Sequence, residues 1–189
     1  MQLCVVRHGM TDYNLNGYVQ GRINVPLHAK GKKQAHILGQ LLRQEGYVFD
    51  CYASSPLSRS IETLYWIQQE LKTEAPIQIV PRFAERDFAH MDGRPVDEVM
   101  PLVRQPNYEA LDYETDKSLI KRIYQGTMDL YHRHANQTML MVAHSHVIKS
   151  LLILSNPKTY TFADFIGHTE MFIFEVTHQH IELVKRVTP

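Results

Sequence analysis

Apolar and polar positions along the chain follow two periods, one of a strand and one of a helix. Gln2 to Val6 is a short apolar run that predicts a buried strand. From about Gly31 the residues Ala35, Leu38 and Leu42 recur on one helical face. Between the two lies a loop of about two dozen residues containing Asn14, Gly17, Gln20, Gly21 and Arg22, and loops of that length inside a compact domain are usually functional. Phe49 to Ala53 predicts a second strand, and Ser55-Pro56 predicts an N-cap and first helical position for a helix running to about Lys72. Ile77 to Val80 predicts a third strand. The stretch 81–115 is polar, broken by Pro81, Pro95, Pro101 and Pro106, and reads as a cap-like insertion over a site. Asp116 to about His134 has helical spacing, Thr138 to Ala143 predicts a fourth strand, and Val147 to Leu154 an apolar helix. Phe172 to Val176 and Ile181 to Val187 alternate around a tight turn, as a terminal hairpin does. The pattern is that of an α/β protein: a single three-layer domain over 1–189, with a mostly parallel central sheet, helices on both faces and a C-terminal hairpin.

Composition narrows the partners. The chain has 189 residues, close to the length of one domain, and 44% of them are hydrophobic, so no disulfide or metal staple is needed for folding. Twenty Lys and Arg balance twenty Asp and Glu, so no global field exists to hold nucleic acid or an anionic membrane, and neither is expected as a partner. No run of 18 apolar residues occurs, which argues against a membrane span. Cys4 and Cys51 each sit in an apolar run and read as small core residues, a usage that suits the cytoplasm. The terminal hairpin offers an edge through which a homodimer could form.

Three predicted strands run into polar residues that the core cannot use: Val6 into Arg7-His8-Gly9, Ala53 into Ser54-Ser55 and then Arg59, and Ala143 into His144-Ser145-His146. Parallel strands share one carboxyl edge, where open α/β sheets bind ligands, so Arg7, His8, Arg59 and His144 are expected to converge there. Two guanidiniums and two imidazoles suit a small dianion, and arginine forks match phosphate oxygens. Flanking positive charge disfavours imidazolium, which leaves His8 a free lone pair for attack on phosphorus. Gly9 fits a turn that brings backbone close to the anion. The leaving oxygen then needs a proton, and Glu85 is the candidate because it is the first acid after the third strand; a bound phosphate raises such a carboxyl toward its protonated form. Asp87 and Asp92 compete for that role on sequence alone.

Arg7-His8-Gly9-Met10-Thr11 with Asn14 resembles the R-H-G-x-T-x-x-N signature of the histidine phosphatase superfamily, also called the phosphoglycerate mutase-like family. Further landmarks follow in order: Gln20-Gly21, Pro26-Leu27, Gly31 with Gln34-Ala35, Ser54 to Thr63 around Arg59, Glu85, and Val142-Ala143-His144. The resemblance implies His8 as the phosphorylated nucleophile, Glu85 as proton donor, Arg7, Arg59 and His144 as phosphate clamp, Asn14, Gln20 and Gly21 lining the substrate pocket, and no metal or other cofactor. The substrate it implies is a small phosphate ester. Ser145-His146 departs from the glycine-containing pair usual after the second histidine, which puts Ser145 beside the substrate and adds His146 as a donor. Ala89 and Asp92 stand where a Gly and a Glu often follow the acid, and His168 where Asn is frequent. Cofactor-dependent mutases of the family are typically longer, so the length favours a phosphatase. Mutase-type phosphotransfer, a metal-dependent hydrolase built on His8, His144, His146 and Glu85, and a non-catalytic phosphate-binding module remain the alternatives.

Overall fold

The computed structural model describes residues 1–105 and 108–189, so Pro106 of the expected cap lies outside the described residues. Six strands form one sheet: β1 (Gln2–Arg7), β2 (Cys51–Ser54), β3 (Ile77–Ile79), β4 (Thr138–Ala143), β5 (Met171–Val176) and β6 (Ile181–Val187), ordered β3-β2-β4-β1-β5-β6. The four strands from β3 to β1 are parallel, while β5 runs antiparallel to β1 and β6 antiparallel to β5. The expected α/β class, mostly parallel sheet and C-terminal hairpin are all present.

Period-two alternation decides which helices cover which face. Cys4 and Val6 of β1, with Leu140 and Val142 of β4, pack against Ala35, Leu38 and Leu42 of α2 (Ala29–Gln44) and Leu64 and Ile67 of α3 (Ser58–Leu71). Leu3, Val5, Met139 and Met141 point the other way, onto Leu119, Ile123 and Leu130 of α5 (Asp116–His134) and Val147, Ile148 and Leu151 of α6 (Ser145–Ser155). β4 and β1 are covered on both faces, which is why they read as continuous apolar runs.

Local sequence signals misplace some boundaries. α3 begins at Ser58 behind Leu57, not at Pro56, and the Ser55 hydroxyl accepts from the Leu57 amide while also meeting His144 Nε2 at 2.6 Å. α2 starts two residues earlier than expected, with the His28 ring accepting from the Lys30 amide. The first long loop carries a one-turn helix, α1 (Asp12–Leu15), closed by a reciprocal Thr11–Asn14 capping box. The stretch 81–115 is not simply polar: Phe88, Met91, Val99, Val103 and Tyr113 form a separate buried cluster with Val19 from the first loop. Within it Pro101 sits inside α4 (Val96–Val103) without ending it. Gly9 serves packing more directly than ligand approach, since a Cβ there would stand 2.5 Å from the Gly31 carbonyl oxygen, and one on Gly31 would stand 2.1 Å from that of Met10. These two glycines let the start of α2 touch the backbone that follows His8.

Candidate active site

β2, β4 and β1 are neighbours in the sheet, so the polar residues after their carboxyl ends meet in space. The His8 and His144 rings lie 5.2 Å apart between centroids, and a third ring, His168, lies 5.8 Å from His8 on another side. Arg59, fully buried in the first turn of α3, donates from its two terminal nitrogens to the Ile23 and Gly21 carbonyls, each at 2.8 Å. Arg7 donates at 2.5 Å to the Ile166 carbonyl. The first loop and the segment before β5 are thereby pinned onto the strand ends by the same guanidiniums that gather around the histidines.

The His8 tautomer follows from its hydrogen bond. His8 Nδ1 lies 2.8 Å from the Gly9 carbonyl oxygen, which can only accept, so Nδ1 carries the proton and Nε2 the lone pair. Among the described residues Nε2 has no hydrogen-bond partner. Ser55 Oγ accepts from the Leu57 amide at 3.2 Å and sits 2.6 Å from His144 Nε2, which fixes that ring by one nitrogen. Buried His144 Nδ1, together with Nε of Arg7 and of Arg59, has no partner among the described residues. Three uncommitted nitrogens on cationic or neutral groups at one strand edge fit an anion with several oxygens.

Burial, then the neighbouring Arg59, His144, Arg7 and His168, hold His8 well below the usual histidine range, so it is an unprotonated imidazole at neutral pH. His144 is held down by burial and Arg59, and His168 falls to about 4 through burial and Arg7. Burial lowers both Arg7 and Arg59 to about 10, which leaves them charged.

Glu85 is buried, and its position is set by short-range contacts: Oε1 accepts from the Arg86 amide at 2.8 Å, and Oε2 faces the His146 amide at 3.4 Å and Nδ1 at 3.5 Å. Burial pushes this carboxyl up, but the His146 and His144 rings and the Arg86 amide outweigh it and hold Glu85 well below the usual carboxylate range. In the site as it stands Glu85 is therefore ionised; the rise expected from a phosphate dianion belongs to the liganded site.

The expected pocket residues divide. Gly21 is buried and structural: its amide donates to Asp92 Oδ1 at 2.7 Å while its carbonyl holds Arg59. The Asn14 side-chain oxygen accepts from the Thr11 amide at 3.2 Å, so it is committed to the capping box. Gln20 accepts from the Thr11 hydroxyl at 2.6 Å and leaves its amide nitrogen unpartnered. Ser145 opens α6, half-buried, next to His144. The His144/His146 pair diverges, His144 toward Ser55 and His146 toward Glu85, and among the described residues no three His, Cys, Asp or Glu side chains are grouped to hold a metal ion.

Several participants had no local signal. His168 donates from Nδ1 to the His8 carbonyl at 3.1 Å. Thr63 accepts from the Gly9 amide at 3.0 Å. Asp92 gathers the Gly21, Arg22 and Ile23 amides at 2.7, 2.8 and 3.1 Å, fixing the loop that carries the Arg59 carbonyls. Each contact joins residues far apart in the chain, so neither period nor spacing could reveal it.

Two histidines at the strand edge stand beside buried Arg59 and half-buried Arg7, a donor set that suits a phosphate group. The chain belongs to the histidine phosphatase superfamily (branch 1), whose model matches residues 3–188. It is 33% identical over 150 residues to the uncharacterized phosphatase PhoE of Bacillus subtilis, covering 79% of this chain and 75% of that protein. It is 36% identical over 92 residues to a 2,3-bisphosphoglycerate-dependent phosphoglycerate mutase of Afipia carboxidovorans, covering 48% of this chain and 44% of that one. In fold it resembles Bacillus stearothermophilus YhfR, with a TM-score of 0.85, 23% identity and coverage of 96% and 94% of the two chains. It also resembles a phosphoserine phosphatase variant of Entamoeba histolytica solved with phosphoserine, with a TM-score of 0.82, 24% identity and coverage of 98% and 95%. The protein is an enzyme of phosphoryl transfer, and both phosphatases and mutases are among its relatives. Among the described residues no helix is long and apolar enough to cross a membrane.

Proposed function

We propose that the protein hydrolyses small phosphomonoesters without a metal, through a phosphohistidine at His8. The observation that carries this reading is the hydrogen bond from His8 Nδ1 to the Gly9 carbonyl, which leaves Nε2 unprotonated inside a ring of cations. Nε2 attacks phosphorus and a P–N bond forms as the P–O bond to the leaving group breaks. Arg7, Arg59 and His144 take the charge spread over the equatorial oxygens. Glu85, protonated once the dianion is bound, gives its proton to the leaving oxygen. It then takes a proton from the water that attacks phospho-His8, returning imidazole and releasing inorganic phosphate. Asn14, Gln20, Gly21 and Ser145 shape the space beside the phosphate. Residues 81–115 form the cap that closes over the leaving group, all within the single domain 1–189.

Turnover of 4-nitrophenyl phosphate in excess chelator, beside a His8→Ala variant, tests the reading. Activity that survives chelation, labels His8 and is lost by on the order of 10⁴-fold or more in the variant is expected, as for removal of a nucleophile. Retained turnover in His8→Ala sinks the nucleophile; dependence on added zinc or manganese sinks the metal-free mechanism. A requirement for a phosphorylated primer, with transfer in place of hydrolysis, would make the protein a mutase.

A further inference from the structure

The residue that most alters the surroundings of Glu85 is His146. Its ring is packed edge-on to Phe88, with centroids 5.3 Å apart, and stacked on Phe162 at 5.9 Å with 27° between planes. Phe162 is itself fixed: the Lys149 ammonium donates to its carbonyl at 2.9 Å, and the Arg86 guanidinium lies 4.4 Å from its ring centroid. Arg86 in turn is buried and paired with Asp116 at 2.7 Å. The imidazole thus sits in a slot that allows little rotation, with Nδ1 buried and aimed at Glu85 Oε2 from 3.5 Å. Its backbone amide, in the first turn of α6, approaches the same oxygen at 3.4 Å.

We infer that His146 is a positioning residue for the proton donor, orienting the Glu85 carboxyl toward the leaving oxygen and favouring its ionised form once the proton has gone. This rests on the reading of Glu85 as general acid. The two Glu85 oxygens are not equivalent. Oε1 is tied to the Arg86 amide at a full hydrogen-bond distance, whereas Oε2 meets His146 through two long contacts. A loosely held oxygen is the one able to carry a proton, and the imidazole beside it recaptures the carboxylate after transfer. The groups facing this pair are Arg86 and Phe88 from the chain after Glu85, His144 just before α6, Lys149 from α6, Phe162 from the loop after α6, Arg59 from α3 and Arg7 from β1. All the ionisable ones other than Glu85 are basic. Positive surroundings favour release of the proton and oppose its recovery, so correct orientation of the protonated carboxyl matters more here than its acidity.

The test uses a graded series of aryl phosphates, from 4-nitrophenyl to phenyl, and the pH profile of kcat on phenyl phosphate. His146→Phe fills the slot without a ring N–H, and His146→Asn supplies a shorter donor should the larger residue disturb folding. The expected result for His146→Phe is a fall of about tenfold or more in the phenyl-to-nitrophenyl ratio of kcat/KM, a fraction of the full effect of a general acid. Removing the imidazole that faces the carboxylate also raises the Glu85 pKa, so the basic limb moves to higher pH. His146→Asn should recover part of both. Equal loss on every ester with an unmoved limb would mean packing alone and overturn the proposal, as would wild-type behaviour in both variants. If Glu85→Gln leaves the leaving-group dependence at the wild-type level, the acid assignment fails and takes the proposal with it; if His8 is never phosphorylated, the whole mechanism fails.

Discussion

The strand-edge site and the cap stretch are built in opposite ways. At the strand edge Arg59 is wholly buried and bound to loop carbonyls, so a catalytic-type side chain also holds the backbone together. In the cap, Phe88, Met91, Val99 and Tyr113 make an apolar cluster of their own, attached to the first loop through Val19 and through the carboxylate of Asp92. One region is held by charged side chains on backbone carbonyls; the other rests on a small apolar core separate from the main ones and on backbone bonds to residues 17–19.

The sharpest way to break that contrast is Arg59. Arg59→Ala should lower kcat/KM by on the order of 10³-fold and also loosen residues 21–23, because the Gly21 and Ile23 carbonyls lose their donors. Arg59→Lys should rescue little, since one ammonium cannot reproduce a planar fork. A lysine variant with near wild-type turnover would separate the structural and chemical duties that the comparison joins.

A smaller effect distinguishes the two cores. Leu140→Ala, in the central strand, should cost about 3–4 kcal/mol and lower Tm for the whole molecule. Val99→Ala, equally buried but in the cap cluster, should cost about 1–2 kcal/mol and act locally, with faster amide exchange over 88–103 and little change in global Tm. Equal, global losses in both would show the cap to be part of the main cooperative unit.

The smallest effect is in pH. His8, His144, His146 and His168 are all lowered, so below the ordinary histidine value of 6.5 the unfolded chain binds protons that the folded chain refuses. Stability is present above that value and is lost as pH falls through the window from 6.5 toward the folded values, which for His168 is about 4. His168→Asn, which can still donate to the His8 carbonyl, should flatten the fall in Tm between pH 6.5 and 4; an unchanged slope would remove His168 from the group.

Much of this could be read before folding. The strands at Gln2, Thr138 and Phe172 and the helices from about Gly31 and Asp116 announce themselves because a core face repeats every two or every 3.6 residues, a property of the local chain. The clamp was legible too, since Arg7-His8, Arg59 and His144 follow strand ends that a parallel sheet must align. The Ser55–His144 contact had no local signal because His144 lies in another strand's wake. The Glu85–His146 contact, the three amides on Asp92 and the Gly9–Gly31 approach were invisible for the same reason. By itself the sequence determined the elements, the class and the four basic residues of the site, because each is encoded in short-range pattern. Only the tertiary structure decided which nitrogen of His8 holds its proton, which oxygen of Glu85 is restrained and which residues serve as scaffold, because hydrogen bonding and burial are settled by the folded surroundings of each group.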